Sequence, residues 1–167
     1  MSPIRTLTLL LAALSLLLAA CGPAQTATPD APEYTLGEVS VAQIQSEPGW
    51  EDLRAEDYTP DPSLVEAIRA GAEDIQVMVF LGFWCPDSQR EVPRWIKLAE
   101  AAGLREDQIT YISLDYTKTD ADGLTEQYGI EYVPTFVILR DGQEIGRIIE
   151  SPEETLEADL AAILAAS

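Results

Sequence analysis

The sequence of 167 residues contains no histidine and only two cysteines. Without imidazole ligands a lone thiolate makes a poor zinc or copper site, so we expect neither a metal nor another cofactor. Basic residues are also scarce, since 10 Lys plus Arg stand against 29 Asp plus Glu, a formal net charge of −19. So few cations can displace few counterions from phosphates, which argues against nucleic-acid binding and against direct contact with anionic lipid.

Long apolar runs are equally few. Residues 7–18 form an apolar stretch of about 12 residues, shorter than the ~20 that a transmembrane helix needs. The stretch follows Arg5 and leads through small residues to Cys21. This arrangement resembles a bacterial lipoprotein signal, whose cysteine carries the lipid; the alternative is an ordinary secretory signal with its cleavage site near Cys21. We favour a lipoprotein signal peptide over residues 1–20 and lipid attachment at Cys21.

Lipid attachment predicts a location in the cell envelope. The protein would face the periplasm, with the outer membrane favoured, or lie on the extracellular face of a monoderm. Three prolines and small polar residues over residues 21–33 predict a flexible tether. Residues 34–61 hold too much apolar material for disorder and are predicted to pack on the domain as an N-terminal extension. Residues 62–167 then form one domain, which we expect to be monomeric.

From residue 62 onward the hydrophobic pattern alternates between helix and strand. Helices are predicted from 61–63 onward, over 86–102, around 121–128 and over 152–166, and strands over 75–83, 109–115, 135–140 and 144–150. Asp141-Gly142, a dipeptide typical of hairpins, joins the last two strands. A β-α-β unit followed by a helix, a hairpin and a helix predicts an α/β fold with a mixed sheet between helices.

Cys85 lies where the strand over residues 75–83 ends and the next helix begins. The unpaired N–H groups and the positive dipole end of that helix favour thiolate over thiol. With Cys21 lipidated, Cys85 has no disulfide partner within the chain, so it is either a reactive thiol or a buried, inert one. Ser88 stands where a dithiol site carries its second cysteine. Its hydroxyl either donates a hydrogen bond to the Cys85 sulfur or fills the first helical turn.

Three local marks, together with the order of elements, resemble the thioredoxin family over residues 62–167. They are the Trp84-Cys85-Pro86 turn, Pro93 inside the following helix, and Val133-Pro134-Thr135 at the start of the hairpin. A proline inside a helix costs ~3 kcal/mol unless a kink is useful, which makes Pro93 informative. The resemblance implies a thioredoxin-like three-layer sandwich, with a mixed sheet flanked by helices.

The resemblance also implies roles for individual residues. Cys85, Ser88 and Pro134 would form the catalytic group, and substrate would contact four further residues: Trp84, Pro86, Val133 and Thr135. From sequence alone the bond before Pro134 would be trans, because only ~5–6% of such bonds are cis. Thioredoxins place a cis-proline at this point, and we therefore expect a cis bond.

Two departures from thioredoxins concern the second step of disulfide exchange. Ser88 replaces the resolving cysteine, and Val79 stands where thioredoxins bury an acid that assists proton transfer to it. A single-cysteine subgroup, with Trp-Cys-x-Asp-Ser followed by Arg-Glu-Val-Pro-Arg, is similar to this chain at residues 84–88 and 90–94. We therefore expect that the protein has no group of its own to break a mixed disulfide formed at Cys85.

These features predict a membrane-anchored, extracytoplasmic thioredoxin-like protein with one reactive thiol. It would reduce or isomerise mixed disulfides on disulfide-bearing or thiol-modified exported proteins, and a low-molecular-weight thiol would complete the reaction. One alternative is a redox-inactive thioredoxin-fold module that binds exported proteins or peptides. A peroxidase is a further option, but no Thr or Arg constellation around Cys85 supports it strongly.

Overall fold

A computed structural model describes residues 34–50 and 55–167. The predicted signal peptide, Cys21 and the tether lie outside these residues. Within them, the secondary structure runs β1 (Gly37–Val39), α1 (Val41–Ser46), α2 (Pro62–Gly71), β2 (Ile75–Leu81), α3 (Pro86–Ala102), β3 (Ile109–Ser113), α4 (Leu124–Gln127), β4 (Thr135–Arg140), β5 (Gln143–Ile149) and α5 (Leu156–Ala166). No helix in these two stretches has both the length and the apolarity to cross a bilayer.

The strands form one mixed sheet in the order β1-β3-β2-β4-β5. The central strand β2 runs parallel to β3 and antiparallel to β4, which continues through the predicted hairpin into β5. From Val77 onward β2 is apolar, and its side chains on both faces are buried except Met78, which is half-buried, as expected for a central strand covered on both sides. The predicted α/β class with a mixed sheet is confirmed.

Helices cover both faces of this sheet. On one face α2, α3 and α5 contact one another and close the larger core, which includes Trp95, Phe136 and Leu160, all 0% exposed. On the other face α4 supplies Leu124 to a smaller core that also contains Cys85. Three layers result, helix on sheet on helix, and the predicted sandwich is confirmed.

The helix that follows the cysteine turn has the bounds that its sequence predicts. Pro86 occupies its first turn, where a missing N–H costs nothing. Gly103 ends it with φ 75°, a left-handed conformation that glycine adopts without a side-chain clash. Pro93 lies inside the helix, buried, as the resemblance implied.

Several local predictions differ from the structure; β2, for example, ends at Leu81 rather than at residue 83, and β3 at Ser113 rather than at residue 115. The last helix begins at Leu156 rather than at residue 152, because Thr155 provides the N-cap by accepting a hydrogen bond from the Ala158 N–H at 3.2 Å. α4 is only four residues long, because the Asp120 carboxylate accepts the Leu124 N–H at 2.7 Å and holds the preceding residues in a turn. β1 was not predicted, since three residues are too few for an alternating pattern.

Residues 34–50 and 55–61 pack along the domain, and we call them the N-terminal strap. β1 extends the sheet by pairing antiparallel with β3. At the other end of the strap, the Tyr58 hydroxyl donates to Glu157 Oε2 at 2.6 Å and the Asp61 N–H donates to Glu157 Oε1 at 3.2 Å. Glu157, only 4% exposed, therefore joins the strap to α5.

Glu157 makes the stability of the fold sensitive to acid. Burial raises its pKa, but hydrogen bonds from Tyr58 and from backbone N–H groups outweigh burial and hold the pKa below the usual 4.5. A carboxyl whose pKa is lowered by folding stabilises the protein above its unfolded pKa, and this contribution disappears as pH falls through the folded value. Glu157→Gln is therefore expected to lose less unfolding free energy than wild type between about pH 5 and pH 3. Urea titrations across this range measure the difference, and parallel curves would contradict it.

Candidate functional site

The candidate site begins with the turn between β2 and α3. The Cys85 N–H donates to the Gly82 carbonyl at 2.9 Å, which closes the turn. Cys85 then serves as the N-cap of α3, with extended backbone angles and no hydrogen bond from its own side chain to the helix. Its sulfur is therefore free to interact outside the helix, at the positive end of the helix dipole.

The Cys85 thiol lies against the loop that leads into β4. Its S–H group donates to the Val133 carbonyl at 3.1 Å. The following bond, Val133–Pro134, is cis, which confirms the expectation drawn from the resemblance. The structure thus brings together residues that are almost fifty positions apart in the chain. Cys85 is 6% exposed, so little of its surface is open to solvent.

Ser88 lies beneath the turn and is 0% exposed. Its hydroxyl oxygen accepts the Gly82 N–H at 3.1 Å. Among the described residues, no hydrogen bond joins Ser88 to the Cys85 sulfur. Ser88 therefore does more than fill the first helical turn, because it satisfies a buried backbone donor at the end of β2.

Trp84 is held in a fixed position beside the thiol. Its indole Nε1–H donates to the Leu114 carbonyl at 3.0 Å, and its ring stacks on Tyr116 with centroids 4.6 Å apart. The indole also lies directly on Gly82, where an added Cβ would approach Trp84 Cε2 to 2.8 Å. A residue without a side chain at position 82 is therefore required for this arrangement.

The other predicted substrate-contacting residues differ in exposure. Pro86 is exposed and Trp84 is half-buried, so both side chains are open to a partner. Val133 and Thr135 are each 2% exposed, and the Thr135 hydroxyl donates to the Tyr132 carbonyl at 2.8 Å. These two side chains support the loop around Pro134 from within.

A chain of charged groups follows the first turns of α3. Glu91, 3% exposed, accepts from Arg90 at 2.6 Å and lies 3.4 Å from Arg94. Arg94 also binds Asp57 of the strap at 2.8 Å. Arg90 reaches across to Ser151, at 2.7 Å. The segment Arg90–Arg94 thus connects α3 with the strap and with the loop between β5 and α5, around the buried Glu91 carboxylate.

Sequence reasoning missed several residues that support the turn. Trp50 and Gln89 both donate to the Phe83 carbonyl, each at 3.0 Å. Gln89 lies one helical turn beyond Cys85, and this spacing could have indicated from the sequence that its side chain lies near the turn. Nothing in the sequence near Trp50 indicates a partner 33 residues away. Within the described part of the chain, no group of three His, Cys, Asp or Glu side chains could hold a metal ion.

Comparison with known proteins agrees with this geometry. The thioredoxin family model matches residues 61–162, more than half of the chain. The chain belongs to the thioredoxin family. A "Thioredoxin H-type" protein of Populus jackii is 28% identical over 138 residues, which cover 81% of this chain and 84% of that protein. "Thioredoxin H9" of Arabidopsis thaliana is 29% identical over 107 residues, which cover 62% of this chain and 69% of the relative.

A solved structure supports the thioredoxin fold. A protein of unknown function from Pseudomonas aeruginosa superposes with a TM-score of 0.53 at 19% identity, covering 80% of this chain and 85% of that protein. As a member of the thioredoxin family, the chain belongs to a family of redox proteins. Its described residues contain one cysteine, Cys85. Val79 is 0% exposed, and so an apolar side chain fills the place of the acid expected in thioredoxins.

Proposed function

We propose that this protein carries out thiol–disulfide exchange with Cys85 alone and depends on an external thiol to complete each cycle. One observation carries the proposal. The thiol is the N-cap of α3 and faces the cis-Pro134 loop, while the helix position that would hold a resolving cysteine is a buried serine bonded to the backbone. The site therefore retains the group that attacks a disulfide and lacks the group that releases it.

The proposed reaction has two balanced steps. The Cys85 thiolate attacks the glutathione sulfur of a glutathionylated protein, so that a Cys85–glutathione disulfide forms and the protein thiolate leaves and takes up a proton. Reduced glutathione then attacks that disulfide. Oxidised glutathione leaves, and Cys85 regains its thiol. When the substrate is a protein disulfide, Cys85 forms a mixed disulfide with one substrate sulfur and the other leaves as a thiol. Attack by another cysteine of the substrate then releases Cys85 and isomerises the disulfide without net reduction.

Deglutathionylation by the purified full chain tests this proposal. Without reduced glutathione, wild type is expected to free at most one equivalent of a glutathionylated test protein, and repeated turnover is expected only when reduced glutathione is present. Cys85→Ser, which replaces only the sulfur, is expected to lose this turnover while keeping the same circular dichroism spectrum. Turnover that survives in Cys85→Ser would show that another group, or the solvent thiol alone, does the chemistry.

A second candidate function is a binding module without redox turnover. The observation that favours it is the 6% exposure of Cys85 and the hydrogen bond that its thiol donates to Val133. Iodoacetamide separates the two candidates. An exchanging thiol is expected to be alkylated in the native protein, whereas an inert one reacts only after unfolding. A native Cys85 that resists alkylation and shows no turnover would leave the binding module as the function.

We further propose that the protein is a lipoprotein of the cell envelope, anchored through Cys21. The support is the run of small residues before Cys21 and the Pro-rich segment after it, which suits a spacer between a membrane and a domain. Exported proteins with disulfides or thiol adducts would then be the substrates. Cys21→Ala is expected to move the protein from the membrane fraction to the soluble fraction. An unchanged distribution would contradict anchoring at this residue.

A further inference from the structure

The Phe83 carbonyl receives two hydrogen bonds at the centre of the cysteine turn. One comes from Gln89 Nε2, on the same helix as the N-cap cysteine, and the other from Trp50 Nε1, on the strap. Both distances are 3.0 Å. Phe83 itself is 0% exposed, so losing a donor leaves its oxygen with fewer partners in a place that water does not readily reach.

Trp50 is fixed by packing as well as by this hydrogen bond. It is 3% exposed, and its ring meets the Phe83 ring edge-on, with centroids 5.0 Å apart. Tyr34, also on the strap, packs against the same ring at 6.0 Å. Strap residues therefore hold both the side chain and the carbonyl of Phe83.

Contacts away from Trp50 attach the strap to α3 at two further points. Asp57 binds Arg94 at 2.8 Å. Lys97 donates to the Ala55 carbonyl at 3.0 Å and to the Tyr58 carbonyl at 2.5 Å. Because Cys85 is the N-cap of the same helix, the strap contacts both the helix and the turn that together determine where the sulfur lies.

We propose that the strap positions the reactive thiol and that Trp50 is a positioning residue for exchange at Cys85. The peptide group is planar, so holding the Phe83 oxygen also orients the Trp84 N–H and limits the rotations that carry Cys85. A thiolate held in the attacking geometry reacts faster than one that must first find it. This inference rests on the proposed function, because it concerns the rate of that exchange.

A pair of matched substitutions tests the proposal. Trp50→Phe keeps an aromatic ring in the core but removes the indole N–H. Trp95→Phe is the control, because Trp95 is 0% exposed in the same core and its Nε1, which lies near Tyr111 on β3, bonds to no carbonyl of the cysteine turn. Both variants lose the same atoms from the larger core, so urea unfolding is expected to show losses of stability of the same order, somewhat larger in Trp50→Phe because its hydrogen bond to Phe83 is lost as well.

The two variants are expected to differ in the chemistry of Cys85. Trp50→Phe should slow deglutathionylation about fivefold, the effect of one neutral hydrogen bond, while Trp95→Phe stays within about twofold of wild type. The rate at which iodoacetamide alkylates the native protein should instead rise in Trp50→Phe, because a looser turn exposes more of the Cys85 sulfur to a small reagent. If a general loss of stability were the cause, the deglutathionylation and alkylation rates would change equally in the two variants. That result would overturn the proposal.

The alkylation measurement distinguishes failure of this proposal from failure of the proposed function. If wild type shows no turnover, the proposed function fails, and a higher alkylation rate in Trp50→Phe than in Trp95→Phe still supports positioning. Equal alkylation rates would overturn it. If Trp50→Phe does not fold, Gln89→Met removes the other donor from a half-buried site and is expected to slow exchange in the same way. An unchanged rate in Gln89→Met would then overturn the proposal.

Discussion

Ser88→Cys is expected to shorten the lifetime of a Cys85–glutathione disulfide by about 100-fold or more when no external thiol is added, because the variant holds an attacking thiol beside Cys85 and wild type has none. Position 88 is the third residue of α3 and Cys85 is its N-cap, and side chains at these two positions are close enough to interact, as capping boxes show. The new thiol would attack the Cys85 sulfur, form a disulfide between positions 85 and 88 and release glutathione, which takes up the proton.

Mass spectrometry of the intact protein measures this effect directly. The proteins are loaded with oxidised glutathione, freed from excess reagent, and followed as the glutathione adduct disappears. Ser88→Ala is the matched control, because it also removes the acceptor of the Gly82 N–H but adds no thiol. Its adduct is expected to persist as long as that of wild type. A wild-type adduct that decays as fast as that of Ser88→Cys would contradict the need for an external thiol.

Gly82→Ala is expected to lower the free energy of unfolding by about 2 kcal/mol, in the range typical of overpacking. The added Cβ would lie 2.8 Å from Trp84 Cε2 and 2.9 Å from its Nε1, distances at which the indole must move. The indole cannot move without losing its bond to the Leu114 carbonyl and its stacking on Tyr116. Because Trp84 precedes Cys85, we expect deglutathionylation to slow as well, by about tenfold.

Gly71→Ala is the control for the Gly82 substitution. A Cβ at position 71 would lie 3.5 Å from the Leu164 Cβ, an ordinary contact, so stability should change by less than about 1 kcal/mol. Urea unfolding gives the stabilities, and the indole N–H signal of Trp84 in NMR spectra reports whether its hydrogen bond survives. An unmoved indole signal in Gly82→Ala, with wild-type stability, would mean that the close approach is relieved without displacing Trp84.

Features that depend on neighbours in the chain could be predicted from the sequence. α3 has the predicted bounds because Pro86 and Gly103 are local signals for the start and end of a helix. The hairpin at Asp141-Gly142 was predicted for the same reason. The motif at Cys85 and the order of elements were sufficient to identify the family before any coordinates.

The cis bond before Pro134 could not be predicted from its neighbours in the chain. Local preference favours trans, and only the resemblance to thioredoxins reversed that expectation, which the structure confirms. The function of the Ser88 hydroxyl could not be chosen from sequence at all. Which buried donor it meets depends on where β2 ends relative to α3, and this is decided by packing.

The sequence by itself determined the fold class, the position of the thiol and the absence of a second cysteine beside it. Only the tertiary structure decided three hydrogen bonds: from the Cys85 thiol to the Val133 carbonyl, from the Gly82 N–H to the Ser88 hydroxyl, and from the Trp50 indole to the Phe83 carbonyl. The physical reason is the range of the interactions. Helix caps and hairpin turns act between residues a few positions apart, whereas a hydrogen bond between Trp50 and Phe83 forms only after the whole sheet and its helices have packed.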